Sequence, residues 1–341
     1  MPYYLGLDLG GTNVKAGVTD GQGKLLTHVS IPTADATIKG RASLAPKIVI
    51  RRMVDAGRQA IAKAGLQLSD IAATGVASPG QASLAKGVVL RSANLPLWEN
   101  VRIRAAVSRG LNLPAILEND ANAAAYGEWW VGAGKSRRID HLFMFTLGTG
   151  VGGGIIHEGK VVHGASDFAA EIGHTIVVPD GDPCGCGQRG CLETYCSASY
   201  TGKRASRQLA GSTKVRKQST LGPIFAQTGA VTAADVAHHA EAGDAFALTI
   251  WNQTCRLLAI ACINVCHFID PQMIVLAGGM SQAGAFLLQT VDRHFRENWW
   301  KMTPPTSTIA LARLGNDAGV IGAAGVAKRA HEQGQLPPAG K

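Results

Sequence analysis

Charged side chains and aromatic rings are scarce. Asp, Glu, Lys and Arg make up 17% of the 341 residues, and Phe, Trp and Tyr only 6%. With 46% hydrophobic residues, that low charge excludes a disordered chain. The net charge is +9, but the basic residues are scattered and few aromatics interleave with them. No nucleic-acid partner is therefore expected, and a basic surface suits an enzyme of anionic substrates. The densest basic stretch, Lys203–Lys217, lies among Ser, Thr and Gly and reads as a solvated insertion. No run of about 20 purely apolar residues occurs, so no membrane span is expected. No basic leader precedes the strand-like Tyr3–Asp8, so no secretory signal is expected either. A disulfide framework is equally out of place. Three of the seven Cys crowd into Cys184–Cys191, a pattern of metal chemistry in a reducing, cytoplasmic compartment.

Glycine is plentiful, with 42 residues gathered in short clusters between apolar runs. Such clusters mark sharp turns or close backbone approach. The length suits two domains. Residues 3–9 read as a strand, Gly10-Gly11-Thr12 as a turn, and Asn13–Val18 as a second strand of period two. A Rossmann fingerprint would need a helix after the glycines, so this is a different device. The pattern recurs at His141–Leu147, Gly148-Thr149-Gly150 and Val151–His157. Further strands are expected at Ile71–Ala77, Pro114–Leu117 and Met273–Ala277. Helices are expected around Ile50–Ile61, at Ala121–Trp130, at Phe246–Phe268 (apolar on most sides) and at Asp317–Arg329. Strands alternating with helices give an α/β class.

Five groups of residues carry chemistry. The two Gly turns expose bare backbone N–H groups and the Thr12 and Thr149 hydroxyls, which suits a polyphosphate. Each alone also reads as an ordinary hairpin, but two with matching flanks favour phosphate. Asp8, just before the first turn, can hold Mg²⁺ directly or through water. Glu118-Asn119-Asp120 ends a strand and opens a helix. On spacing alone it is a helix N-cap, with a general base as the second reading. His174, Cys184, Cys186 and Cys191 form a Cys₃His set separated by glycines, a structural Zn²⁺ site with no open position. Glu171 and Glu193 flank that set, where a metal can hold them toward a hydroxyl-rich ligand; they also read as surface carboxylates. Gly278-Gly279, after a strand, can pack against an adenine or ribose. Cys255, Cys262 and Cys266 lie at helical spacing and read as small core hydrophobes. Cys196 has no assignment.

Taken together, Leu7–Thr12, Glu118–Asn122, Leu147–Gly154, Glu171–His174, Cys184–Glu193 and Ile274–Gly279 resemble the ROK family of sugar kinases, and within it the bacterial glucokinases. The resemblance implies an actin/hexokinase-like (ribonuclease H-like) two-domain fold with a cleft between the domains. One domain is expected at 1–118 plus 317–341, and the larger one, with the zinc knuckle, at 119–316. It implies ATP-dependent phosphorylation of a hexose at O6, glucose first. Fructose, mannose, allose and N-acetylhexosamines stay open as alternatives. Asp120 becomes the base, and Gly80, Asn94, Asn119, Glu171, His174 and Glu193 the sugar ligands. Asp8, Gly10–Thr12 and Gly148–Gly150 match the phosphate and Mg²⁺ elements, and Gly278 and Gly279 the adenosine side. A homodimer is implied. The family also contains repressors, but Asp8 sits too near residue 1 for a DNA-binding module ahead of it. Three departures stand out, one of them a segment, Gly202–Gly222, more basic than the family pattern leads one to expect. Asn13 replaces a frequent Lys, and Ser166–Ala170 replaces a more Gly-rich run beside the sugar.

Overall fold

A computed structural model describes residues 2–92, 95–135 and 139–340. The chain opens with β1 (Tyr3–Leu9), β2 (Asn13–Thr19) and β3 (Leu25–Pro32), then α1 (Pro46–Lys63) and β4 (Ile71–Ser78). Short strands β5 (Gln81–Ser83), β6 (Val88–Arg91) and β7 (Glu99–Val101) precede α2 (Ile103–Leu111), β8 (Ala115–Asn119) and α3 (Asp120–Trp130). Next come β9 (Leu142–Leu147), β10 (Val151–His157) and β11 (Lys160–Val161). The helices α4 (Glu193–Cys196), α5 (Ala198–Gly211), α6 (Thr213–Gln218), α7 (Gly222–Thr228), α8 (Ala233–Glu241) and α9 (Ala245–Ile269) follow. The chain closes with β12 (Met273–Ala277), α10 (Gly284–Asn298), β13 (Thr308–Leu311) and α11 (Ala318–Glu332).

Two compact units divide the chain. The first holds residues 1–139, 154–169 and 313–341; the second holds 140–153 and 170–312. These limits differ from a division at residue 118: α3 packs on α11 within the first unit.

In the first unit a five-stranded sheet runs β3-β2-β1-β4-β8. β1, β2 and β3 are antiparallel, whereas β1, β4 and β8 are parallel. One face is covered by α1 and α2 over a core of large aliphatics, including Leu5, Leu7, Val14, Met53 and Val107. The other face is built mostly from small residues, with Tyr4 the large exception. There Ala77, Ala123 and Ala323 form one cluster, and Tyr4, Ala73, Ala324 and Ala327 another. The small side chains let the α11 backbone lie directly on the sheet. A Cβ on Gly6 or Gly75 would strike the carbonyls of Val320 and Ala323. This close approach, not loop flexibility, accounts for glycines inside β1 and β4.

In the second unit β12 lies between β9 and β13, parallel to both, with Val275 opposite Met144 and Ala310. Helix α9 is its buried axis, packed by α4, α5, α8 and α10. By length and composition alone α9 could cross a membrane. Here it serves as a core helix, burying Ile250, Trp251, Leu258 and, as their spacing predicts, Cys255, Cys262 and Cys266.

The reading of Lys203–Lys217 as a solvated insertion is corrected. The segment is helical, in α5 and α6. Thr201, Ala205 and Leu209, at i, i+4 and i+8, turn one face of α5 inward. Arg204 goes with them at 6% exposed, its guanidinium bonding the Tyr195 carbonyl at 3.1 Å and the Thr254 hydroxyl. Cys196 gains a place in the same layer, its buried thiol donating to the Thr254 carbonyl at 3.3 Å.

Candidate active site

The residues singled out by sequence fall into two groups, one in each unit. In the first unit the Gly10–Thr12 turn joins β1 to β2. It closes through Gly10 N–H donating to the Asn13 carbonyl at 2.9 Å. Thr33, fully buried, then pins it twice. Its N–H donates to the Thr12 carbonyl at 2.8 Å and its hydroxyl to the Gly10 carbonyl at 2.7 Å. Nothing in the sequence around Thr33 announces that role. None of these bonds uses the Gly11 or Thr12 N–H group, and both residues are exposed.

Asp8 ends β1 beside this turn. Its carboxylate fits against Gly319 near the start of α11, where a Cβ would come within 2.7 Å of Oδ2. Burial raises the Asp8 carboxyl above its ordinary range, with Lys15 and His28 pulling it back down. Lys15 and His28 are themselves tied to the segment leading into α11, through the Asn316 carbonyl at 3.0 Å and Asp317 at 2.8 Å. A carboxylate whose charge burial disfavours is a fitting ligand for a divalent cation, directly or through water.

Asp120 opens α3 at the carboxyl end of parallel strand β8. The capping falls to Asn119, whose Oδ1 accepts from Ala121 N–H at 2.9 Å and Asn122 N–H at 3.2 Å. Asp120 Oδ1 also accepts from Ala121 N–H, at 2.9 Å. With its oxygen committed to the cap, Asn119 has its Nδ2 amide to offer a ligand. Ser78 pairs with Asn119 in the sheet, so Gly80, at φ +96°, follows β4 beyond the same sheet edge. Asn94 lies outside the described residues.

In the second unit the Gly148–Gly150 turn joins β9 to β10. Gly148 N–H donates to the Gly150 carbonyl at 3.0 Å, and Ala198 N–H donates to the Gly148 carbonyl at 2.9 Å. Gly278 lies against this strand end with φ +88°, where a Cβ would sit 2.6 Å from the Leu147 carbonyl oxygen. Only glycine meets both demands. Beyond it, Gly279 borders an apolar cavity of about 760 Å³ lined by Gly202, Val231, Ala237, His238 and Met280 among others.

The ligand atoms of His174, Cys184, Cys186 and Cys191 all lie within 4.8 Å of one another. Cys186 and Cys191 Sγ are 3.7 Å apart, and Cys184 Sγ is 3.8 Å from His174 Nδ1. Thiolates around tetrahedral zinc, each roughly 2.3 Å from the ion, have about this separation. The donor set therefore fits zinc, and four protein ligands close the shell. With Nδ1 turned to the thiols, His174 Nε2 is the nitrogen available to a substrate.

Glu193, two residues past Cys191, links this knuckle to the end of the Gly148–Gly150 turn. Its Oε2 accepts from Val151 N–H at 2.9 Å, and its Oε1 lies 4.0 Å from Cys184 Sγ. The Glu171–His174 turn reaches the same strand, with Gly173 against the Val151 carbonyl. Glu171 itself is exposed. The second unit thus brings together the Gly148–Gly150 turn, both carboxylates' segments and the Cys₃His group.

Residues 4–330 match the ROK family. The chain is 35% identical to a glucokinase of Halalkalibacterium halodurans, over 96% of this chain and 95% of the relative. Among solved structures it is similar to a ROK hexokinase from Thermus thermophilus, at 29% identity and a TM-score of 0.77, covering 97% and 99% of the two chains. It is also similar to a ROK family glucokinase from Streptomyces griseus solved with glucose and AMPPNP, at 31% identity and a TM-score of 0.75, covering 96% and 99%. With two α/β units, both Gly turns, the capped Asn119-Asp120 turn and the Cys₃His knuckle in family order, this chain belongs to the ROK family.

Proposed function

We propose that this protein is an ATP-dependent hexose kinase that converts glucose to glucose 6-phosphate. The observation that carries the reading is the β8–α3 junction. There Asn119 takes over the cap and Asp120 stands at the carboxyl end of a parallel strand, in a chain 35% identical to a glucokinase.

Asp120 accepts the proton of the sugar O6 hydroxyl as that oxygen attacks the γ-phosphorus in line. The N–H groups of the two Gly turns and the Thr12 and Thr149 hydroxyls donate to the phosphate oxygens, where negative charge gathers. A magnesium ion held through Asp8 would supply further charge neutralisation when bound. Asn119 Nδ2, His174 Nε2, the Glu171 and Glu193 carboxylates, the Gly80 backbone and Asn94 bind the remaining sugar hydroxyls. The apolar cavity beside Gly279 takes the adenine, and Gly278 lets the ribose side approach. His174, Cys184, Cys186 and Cys191 would hold a zinc ion, which would stiffen the segments carrying Glu171 and Glu193 without entering the transfer.

A coupled ADP-release assay across a hexose panel tests this reading. Glucose should give the highest kcat/KM. A preference for fructose, mannose, allose or an N-acetylhexosamine would move the substrate, and no turnover with any of them would end the proposal.

A further inference from the structure

Glu118 is a buried carboxylate that the proposed reaction leaves unused. It ends β8 in the first unit and is only 2% exposed. A buried charge is costly unless paired and hydrogen-bonded, so its partners reveal its use. Oε1 accepts from Asn119 N–H at 2.9 Å and from Asn122 Nδ2 at 3.2 Å. Those two contacts bracket Asp120, one residue before it and two after. Oε2 lies 2.8 Å from Nε2 of His163.

His163 sits in the segment after β11 that leads along the chain to Glu171. The segment is itself held, through Ala169 N–H to the His163 carbonyl at 3.0 Å and Leu84 N–H to Asp167 Oδ2 at 3.0 Å. The hydrogen bond to Glu118 raises the His163 pKa, burial opposes the rise, and the charges of Glu118 and Asp167 add to it. The pair lines a cavity of about 740 Å³ with Arg104 of α2, Lys160 of β11, Arg329 of α11 and Tyr126 of α3. Asp167 and Asp120 are the acids nearest in the chain. With Arg104, Lys160 and Arg329 around it, the pair has mainly cationic surroundings.

We propose that Glu118 and His163 are positioning residues for the phosphotransfer. The pair fixes the Asn119–Asn122 turn that presents Asp120, and it cancels the negative charge Glu118 would otherwise set beside the base. The inference rests on the reading of Asp120 as that base. Geometry and charge separate cleanly, because a glutamine at 163 can still donate to Glu118 but carries no charge.

The test uses His163→Ala, His163→Gln and Glu118→Gln in the full-length protein, with kcat followed from pH 6 to 9 and hydrogen exchange measured without substrate across residues 117–123. His163→Ala should lower kcat at neutral pH about tenfold with the KM for ATP within about twofold, and should speed Asn119 amide exchange about tenfold. His163→Gln should recover most of the exchange protection. In both variants the acid limb of kcat should move to higher pH, because an uncompensated carboxylate raises its neighbour's pKa. Glu118→Gln takes the counter-charge from His163, and the uncompensated imidazolium should move the limb to lower pH. Wild-type kcat and exchange in His163→Ala would overturn the proposal. So would a loss of kcat with an unmoved acid limb and unchanged exchange. Exchange needs no turnover, so an inactive wild type would defeat the kinase reading while the amides still decide whether the pair holds the turn.

Discussion

Replacing Gly319 with Ala would push directly on Asp8. The new Cβ would lie 2.7 Å from Asp8 Oδ2 and 2.8 Å from Cγ, where ordinary contact begins near 3.4 Å. The carboxylate must therefore retreat by about 0.7 Å. Its neighbours are a helix start and the Lys15 and His28 charges, so the move is resisted. Overpacking of this kind costs about 1–3 kcal/mol. In a unit of this size that lowers the melting temperature by roughly 2–4 °C per kcal/mol. The functional cost should be larger, because a misplacement of about 1 Å at a reacting centre can cost roughly a hundredfold. Gly319→Ala should thus lower kcat/KM for MgATP by about 10- to 100-fold and raise the magnesium needed for half-maximal rate, leaving the KM for sugar unchanged. Coupled ADP release with a magnesium titration reads all three. A variant within twofold of wild type, with the same magnesium requirement, would refute the idea that α11 sets the position of Asp8.

Other outcomes follow from the same structure. Asp120→Asn should lower kcat by about 10²- to 10⁴-fold while glucose still binds, as read by titration calorimetry; near-normal turnover would remove Asp120 from the chemistry. Cys186→Ser should abolish stoichiometric zinc by elemental analysis and lower both melting temperature and sugar affinity, whereas a zinc-free variant with full activity would deny the metal its structural part. Ala234→Trp, placed from an exposed position lining the apolar cavity beside Gly279, should raise the KM for ATP at least several-fold and spare that for glucose; equal effects on both would put adenine elsewhere. Asp244 caps α9, and although burial works the other way, hydrogen bonds from Ala247, Thr220 and Ser219 hold its carboxyl below the ordinary range. Its contribution is complete above the unfolded carboxyl range near pH 3.8 and is lost as pH falls through the lower folded value. Asp244→Asn should keep the cap at neutral pH and melt with a shallower acid dependence, and an unchanged acid slope would contradict this.

Much of the fold was legible because its elements obey a single period. β10 and β12 coincide with their apolar runs, and α3 and α9 start within one residue of the helices read from spacing. The Cys₃His set was equally plain, since four soft ligands separated by glycines have few other uses. What stayed hidden depended on contacts distant in sequence. Thr33 reaches the first Gly turn from the end of β3, and Gly319 reaches Asp8 from the far end of the chain. Glu118 stood in plain view beside Asp120, but its use requires His163, 45 residues away. The polar residues of α5 concealed its buried stripe because Arg204 is turned inward, bonded to Tyr195 and Thr254. The short strands β5–β7 offered too few residues for an alternation to show.

The identity of the product decides the proposed activity most directly. Purified protein incubated with glucose and MgATP should yield glucose 6-phosphate and ADP in equal amounts, with ADP formation dependent on the sugar. ADP release indifferent to glucose, or consumption of ATP with no phosphate found on O6, would contradict it.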